Sequence, residues 1–391
     1  MADQGRRSRA IATGSAIGAG ALVAGAAITA GVIAVVFART VITPPTKRDE
    51  DVLILATGDG TITLSATLDS MTPGSYSLWF DRDAGHARVG EILSYTPDTV
   101  TRQLIAVDFG DLGSAVRGRF SGWFYLSPAD LDLPFDNVEV ETELGAAPAW
   151  YVPAAQASTR WMIGVHGRAV RRQETLRSVP VFREEGYNSL LVSYRNDGDA
   201  PGTPDNRYSL GDTEWRDVQS AIQYALDHGA TSIVLMGWSM GGATVLQTVT
   251  RSALASSVAG VVLESPVVDW ITALHYQGMA YKLPRVVRVG ILGLLTHRWS
   301  TLLTGQSAPI DLKRLDLVSR AKELTKPILL LHSDDDGYIP STASRALAVA
   351  RPDIVTFVEF TTARHTKLWN YDAERWNSSI RRWLERLRSV E

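Results

Sequence analysis

The chain has 391 residues, 39 basic and 42 acidic side chains and a formal net charge of -3. That near-neutral balance argues against a dedicated nucleic-acid binder, which carries a clear basic excess. Apolar residues at 45% and charged residues at 21% exclude a disordered chain. With no cysteine present, disulfide scaffolds, thiolate metal sites and cysteine nucleophiles are removed together.

Arg6, Arg7 and Arg9 precede an uncharged run from Ala10 to Ala38, and the next charge is Arg39. As a helix rising ~1.5 Å per residue, the run exceeds a hydrocarbon core of ~30 Å. Its second half, Ala21 to Phe37, is the more apolar. Residues 1–42 therefore read as a tail and transmembrane signal-anchor. The arginines put the amino terminus inside and the rest of the chain outside, as a single-pass protein of the cell membrane. A cleaved signal peptide is the alternative, with Val36 and Ala38 as its small-residue site. Gly14 and Gly18 make a GxxxG pair in a glycine-rich segment, where such a pair carries little weight. Residues 43–51, with Pro44-Pro45 and a charged run from Lys47 to Asp51, read as a linker.

From Val52 to about Tyr125 the pattern has period two. Ile62, Leu64, Ala66 and Leu68 alternate with Thr61, Thr63, Ser65 and Thr67, and Tyr76, Leu78 and Phe80 follow Pro73-Gly74. Short strands separated by turn residues predict a small β-rich domain over residues 52–136. No chemical motif falls in it, so it reads as a packing or spacer module, or as one that binds envelope polymer. Beyond it the pattern changes. Val138 to Thr142 and Ala149 to Val152 are short strands. Apolar strands at Trp161–Val165, Ser189–Tyr194, Ser232–Gly237, Val258–Glu264, Ile328–His332 and Val355–Phe360 then alternate with helical stretches. That alternation predicts an α/β domain over residues 137–391, with a mostly parallel sheet covered by helices on both faces.

The central motif is Gly237-Trp238-Ser239-Met240-Gly241, directly after the strand Ile233-Val234-Leu235-Met236 and directly before a helical stretch. A GxSxG in that strand–turn–helix setting is a nucleophile elbow, whose tight turn exposes the serine at the carboxyl end of a sheet. Here the chain resembles the α/β-hydrolase family, from about Val138 onward. Four segments carry the resemblance: Val165-His166-Gly167-Arg168, the turn at Ser239, His332 to Pro340, and Arg364-His365. It is nearest in kind to the bacterial esterase and serine-aminopeptidase-like branch. It is also similar to the catalytic domain of prolyl oligopeptidases, although Met240 stands where those carry tyrosine.

The resemblance implies an order of Ser, acid, His. Among three consecutive aspartates it selects Asp336, flanked by His332 and Pro340, and leaves Asp334 and Asp335 to the loop. It assigns the general base to His365. His166 and His332 sit at strand ends as packing residues, and His86 comes too early in the chain. The oxyanion hole would use the backbone N–H of Met240 and, by the family pattern, that of Arg168. Arg168, Arg171 and Arg172 either steer an acidic substrate or form a solvated basic turn. Neither cofactor nor metal is expected, since no cluster has metal spacing and no glycine-rich loop has nucleotide-binding form.

Residues from about 267 to 306 carry many large apolar side chains with spacing near 3.6, together with Lys282, Arg285, Arg288 and Arg298. They predict a helical cap that packs on the sheet, lines an acyl pocket or rests on lipid. The expectation is a serine hydrolase cleaving a small-molecule or lipid ester. Peptidase, thioesterase and acyltransferase activities on the same machinery, and a non-catalytic envelope-binding protein, are the alternatives.

Overall fold

The structure, a computed structural model, describes residues 27–389. Helix α1 covers residues 27–42. Six strands then close into a barrel in the order β1-β2-β5-β4-β3-β6: β1 Val52–Gly58, β2 Thr61–Ser65, β3 Tyr76–Phe80, β4 Gly85–Tyr95, β5 Thr99–Phe109 and β6 Arg117–Ser121. The period-two pattern marked these strands. Closure came from the antiparallel pairing of β1 with β6, which removes both sheet edges. Inside lie Ile62, Leu64, Tyr76, Leu78, Phe80, Val89 and Phe120.

Arg102 on β5 is wholly buried in this barrel. It donates to the carbonyls of Gly90, Ser70, Thr72 and Gly74, and lies over the rings of Tyr76 and Phe120. Burial pushes its guanidinium down to about 10, against the opposing pull of Tyr76 and Glu91, so it remains charged at neutral pH. One side chain thereby ties the loop 66–75 to the barrel wall.

The second sheet has eight strands in the order β14-β13-β12-β11-β9-β10-β8-β7. They are β7 Asp136–Thr142, β8 Gly145–Val152, β9 Arg160–Val165, β10 Asn188–Val192, β11 Ser232–Trp238, β12 Val258–Glu264, β13 Ile328–Ser333 and β14 Val355–Phe360. β7, β8 and β10 pair antiparallel, whereas β10, β9, β11, β12, β13 and β14 run parallel. Alternate residues feed two separate cores. Ile233 and Leu235 face α3 (Trp215–Asp227) and α4 (Met240–Arg251). Val234 and Met236 face α2 (Val179–Glu184) and the carboxyl-terminal helices. After β9 a 3₁₀ turn, Arg172–Ser178, runs into α2. The chain passes from β9 outward to β10 and then returns across β9 to β11. The crevice beyond the carboxyl ends of β9 and β11 is therefore a topological switch point, where α/β sheets bind ligands.

Between β12 and β13 stand α5 (Trp270–Ala280), α6 (Arg285–Thr296) and the short α7 (Thr301–Thr304). Against them packs α1, which corrects the reading of the amino-terminal run. Ala34, Ala38, Val41 and Ile42 are buried in the same core as Val287, Ile291 and Leu294. Arg39 donates to the Leu303 carbonyl, and Phe37 meets Tyr281 edge to face. Residues 27–42 thus pack on the globular unit, and no helix among the described residues is long and apolar enough to cross a membrane. Apolar residues satisfy a protein core as readily as lipid, so composition did not separate the two. The start of the run, with Arg6, Arg7, Arg9, Gly14 and Gly18, lies outside the described residues.

Arg102→Leu is expected to strand buried carbonyl acceptors and destabilise the barrel by about 3 kcal/mol. The check is the denaturant midpoint of the first unfolding transition. An unchanged midpoint would mean that solvent replaces the guanidinium without penalty.

Candidate active site

Ser239 sits between β11 and α4 with φ 51° and ψ -116°. A residue bearing a Cβ adopts such angles only under strain of roughly 1–3 kcal/mol. Close packing enforces the turn. A Cβ at Gly237 would meet the Gly241 carbonyl oxygen at 2.6 Å, and one at Gly241 would collide with the carbonyl oxygens of Val165 and His166. The first turn of α4 therefore rests directly on the end of β9. Ser239 is presented at the switch point with the helix N-terminus behind it, where the first N–H groups lack intrahelical acceptors.

Three elements converge here. His365 Nε2 lies 2.9 Å from Ser239 Oγ, and His365 Nδ1 lies 2.7 Å from Asp336 Oδ2. Asp336 is buried on the loop after β13 and accepts from the N–H groups of Tyr338 and Ile339 at 2.9 and 2.8 Å. Burial pushes its carboxyl up, but His365 and His332 outweigh it and hold the group far below the usual carboxylate range. It is therefore an anion throughout the neutral range, suited to orient an imidazole and offset imidazolium charge. Asp334 pairs instead with Arg345, and Asp335 with Arg364.

The loop after β9 brings Gly167 against Ser239, where a Cβ on Gly167 would stand 3.2 Å from that of Ser239. The loop is pinned by Gly167 N–H donating to Glu174 at 2.7 Å and by the Tyr194 hydroxyl donating to the Gly167 carbonyl at 2.8 Å. His166 stacks on Tyr194 and bonds Asp197 at 3.1 Å, a packing role. Arg168 follows Gly167 on this loop, as Met240 follows Ser239 at the start of α4. Its side chain turns away and donates to the carbonyls of Val41, Thr40 and Thr43 at the end of α1. Arg171 and Arg172 both pair with Asp199, and Arg172 also lies over Trp150. Each of the three thus has partners within the fold.

Two further residues hold this arrangement, His332, read from the sequence as a packing residue, and Glu264, which carried no motif. His332 bonds Ser344 and the Ile339 carbonyl, and its Nε2 lies 3.3 Å from Asp336. Glu264, wholly buried at the end of β12, accepts from Trp238 Nε1 at 2.8 Å, Trp376 Nε1 at 2.9 Å and Leu368 N–H at 3.2 Å. Its own carbonyl accepts from Ser239 N–H at 3.1 Å. One carboxyl thus joins the serine turn, the stretch after His365 and the carboxyl-terminal helix α10 (Ala373–Arg388). The available signal was an acid closing an otherwise apolar strand.

The barrel braces the His365 loop. Asp69 meets Lys367 at 2.9 Å, and Ser75 exchanges hydrogen bonds with Asn370 through N–H to carbonyl and carbonyl to side-chain amide. On the side of the barrel wall facing away from its core, Ser77, His86 and Asp108 form a second serine–imidazole–carboxylate chain, at 2.7 and 2.8 Å. Ser77 and His86 are wholly buried, and the Ser77 hydroxyl also reaches the Trp123 carbonyl. Burial pushes His86 down, and Ser77 lies within a regular strand rather than at a helix N-terminus. This second chain is a packing feature.

Residues 162–378, more than half of the chain, match the model described as "Alpha/beta hydrolase family", and the chain belongs to that family. Residues 53–121, the barrel strands, match a domain of unknown function. The human protein ABHD12B is 27% identical over 209 residues, covering 51% of this chain and 52% of that protein. The quorum-quenching protein AidA of Acinetobacter baumannii is 29% identical over 167 residues, 39% of this chain and 52% of that one. The chain spans about half the length of these two curated relatives. An esterase from Pyrococcus furiosus superposes with a TM-score of 0.52 at 19% identity, over 67% of this chain and 94% of that one, a likeness of fold.

Burial pushes the Glu264 carboxyl above its ordinary value, partly opposed by Arg177. A carboxyl raised on folding costs stability once pH passes the unfolded value of about 4.3, and the deficit grows until pH passes the raised value. Glu264→Gln abolishes that titration. The stability of the native protein relative to this variant is therefore expected to decline as pH rises above the unfolded value of about 4.3, and to level off once the raised value is passed. Parallel pH–stability curves for the two proteins would show that Glu264 ionises normally.

Proposed function

We propose that the protein is a serine hydrolase that cleaves an ester through an acyl-enzyme. The observation that carries this reading is the hydrogen-bonded chain from Asp336 through His365 to a serine held in a strained turn at a helix N-terminus. Ser239 Oγ attacks the ester carbonyl as His365 Nε2 takes its proton. His365 returns that proton to the departing alcohol, and a water activated by the same imidazole then releases the acid. The N–H groups of Met240 and Arg168 stabilise the developing oxyanion. No step calls for a cofactor. The esterase among the structural neighbours is consistent with a small-molecule or lipid ester as substrate.

Ser239→Ala is expected to cost on the order of 10⁶ in kcat for p-nitrophenyl esters, and Asp336→Asn roughly 10⁴. Asp334→Asn and Asp335→Asn should stay near the native rate. A fluorophosphonate is expected to modify Ser239 and leave Ser77 untouched. Retention of ester hydrolysis by Ser239→Ala, or an adduct at Ser77 alone, would overturn the assignment.

Export with the catalytic domain outside the cell rests on the arginines and uncharged residues before position 27. Cleavage after Ala38 would discard a helix whose Ala34 and Ala38 are buried, so we propose that α1 is retained. Terminal sequencing of the mature protein is expected to find a start ahead of residue 27. A start near Arg39 would refute retention.

A further inference from the structure

A groove of about 370 Å³ runs between α1 and the cap. One wall is α1, through Val32, Ile33, Val36 and Phe37, and the facing wall carries Gln277 and Tyr281 of the cap region. Arg168 and Tyr338 also line it. These last two adjoin the chemistry: Arg168 follows Gly167 beside Ser239, and the Tyr338 ring lies 5.2 Å from that of His365. Val32 and Val36 line a second apolar cleft as well, on the α6 side, with Leu294, Trp299 and Leu303. The apolar surface thus passes around α1 and away from the serine.

We infer that α1 is a wall of the substrate site and that the groove holds the acyl chain of the ester, so that the protein prefers medium- or long-chain acyl esters. This inference rests on the serine-hydrolase reading above. Four properties of the groove carry it. Most of its lining is aliphatic or aromatic, which gains from burying methylenes. Its charged member, Arg168, has its guanidinium engaged with the carbonyls of Val41, Thr40 and Thr43. Exposed Val32, Val36 and Tyr281 leave it open along its length, so a chain can be laid in from the side. Two of its lining residues also lead toward the chemistry, Arg168 as the residue after Gly167 and Tyr338 through its ring beside His365. The acyl carbon bears the oxyanion and stays bonded to Ser239 through both half-reactions, whereas the alcohol leaves after the first. A lasting apolar hold at that place serves the acyl group. α1 lies ahead of the segment that matches the family model, residues 162–378.

The test is kcat/KM for p-nitrophenyl esters of graded acyl length, beside acetate esters of graded alcohols, in the native protein, Val36→Glu and Val36→Trp. Labelling of Ser239 by a small fluorophosphonate is followed in all three. In the native protein kcat/KM is expected to rise about fourfold per added acyl methylene until the groove is filled. Val36 is largely exposed, so both substitutions are compatible with folding. Each is expected to lower the ratio of octanoate to acetate kcat/KM at least tenfold, Val36→Glu by placing a charge in the groove and Val36→Trp by filling it. Ratios equal to the native one in both variants would overturn the proposal, as would strict acetyl preference in the native protein. A dependence on alcohol length alone would assign the groove to the leaving group and overturn it too. Those three outcomes leave Ser239 labelled and esters hydrolysed. Absence of both labelling and hydrolysis in the native protein would instead remove the serine-hydrolase reading itself.

Discussion

The candidate site depends on one close approach, that of the first turn of α4 to the end of β9. Gly241 has no side chain because the carbonyls of Val165 and His166 occupy the space where a Cβ would stand. Gly237 and Gly242 meet the same constraint, against the helix backbone and against Pro266. With the helix pressed onto the sheet, the chain can leave β11 only through a sharp turn, and Ser239 takes the strain. The turn persists because its surroundings over-determine it. The Ser239 N–H is held by the Glu264 carbonyl, and the neighbouring Trp238 indole by the Glu264 carboxyl.

The other two members of the hydrogen-bonded chain come from loops, and loops alone do not hold side chains to the tolerance that proton transfer needs. Asp336 is fixed by two backbone donors and by the buried His332. The stretch around His365 is fixed from two sides. Arg177 donates to the Thr366 carbonyl and to Asn370 from beneath. The barrel reaches Lys367 and Asn370 from outside, through a loop anchored on Arg102. The β domain is therefore more than a spacer in this arrangement. Its contacts fall on the segment that carries the base.

Charge is handled in the same economical way. The arginines after β9 look in sequence like a basic patch at the mouth of a site. In the fold Arg168 closes the carboxyl end of α1, and Arg171 and Arg172 share Asp199. Carbonyls at a helix end and a carboxylate on a neighbouring loop give them local hydrogen-bond partners, with Asp199 offsetting one of the three charges.

The sequence by itself determined whatever depends on short spacing. The strand–turn–helix setting of Ser239, the parallel strands, and the choice of Asp336 over Asp334 and Asp335 by its distance from His332 and Pro340 were all legible. Each is set by residues within a few positions of one another and by family resemblance over the same stretch. Tertiary structure alone decided what depends on partners far along the chain. Closure of the barrel required β1 to find β6, and Glu264 gained its role from Trp238, Leu368 and Trp376. Most of all it decided the place of α1. An uncharged run of alanines, valines and isoleucines is compatible with lipid, with a discarded leader or with a protein groove, because burial of apolar surface is non-directional. Only the complementary faces of α5 and α6, some 250 residues later in the chain, settle residues 27–42 against the cap.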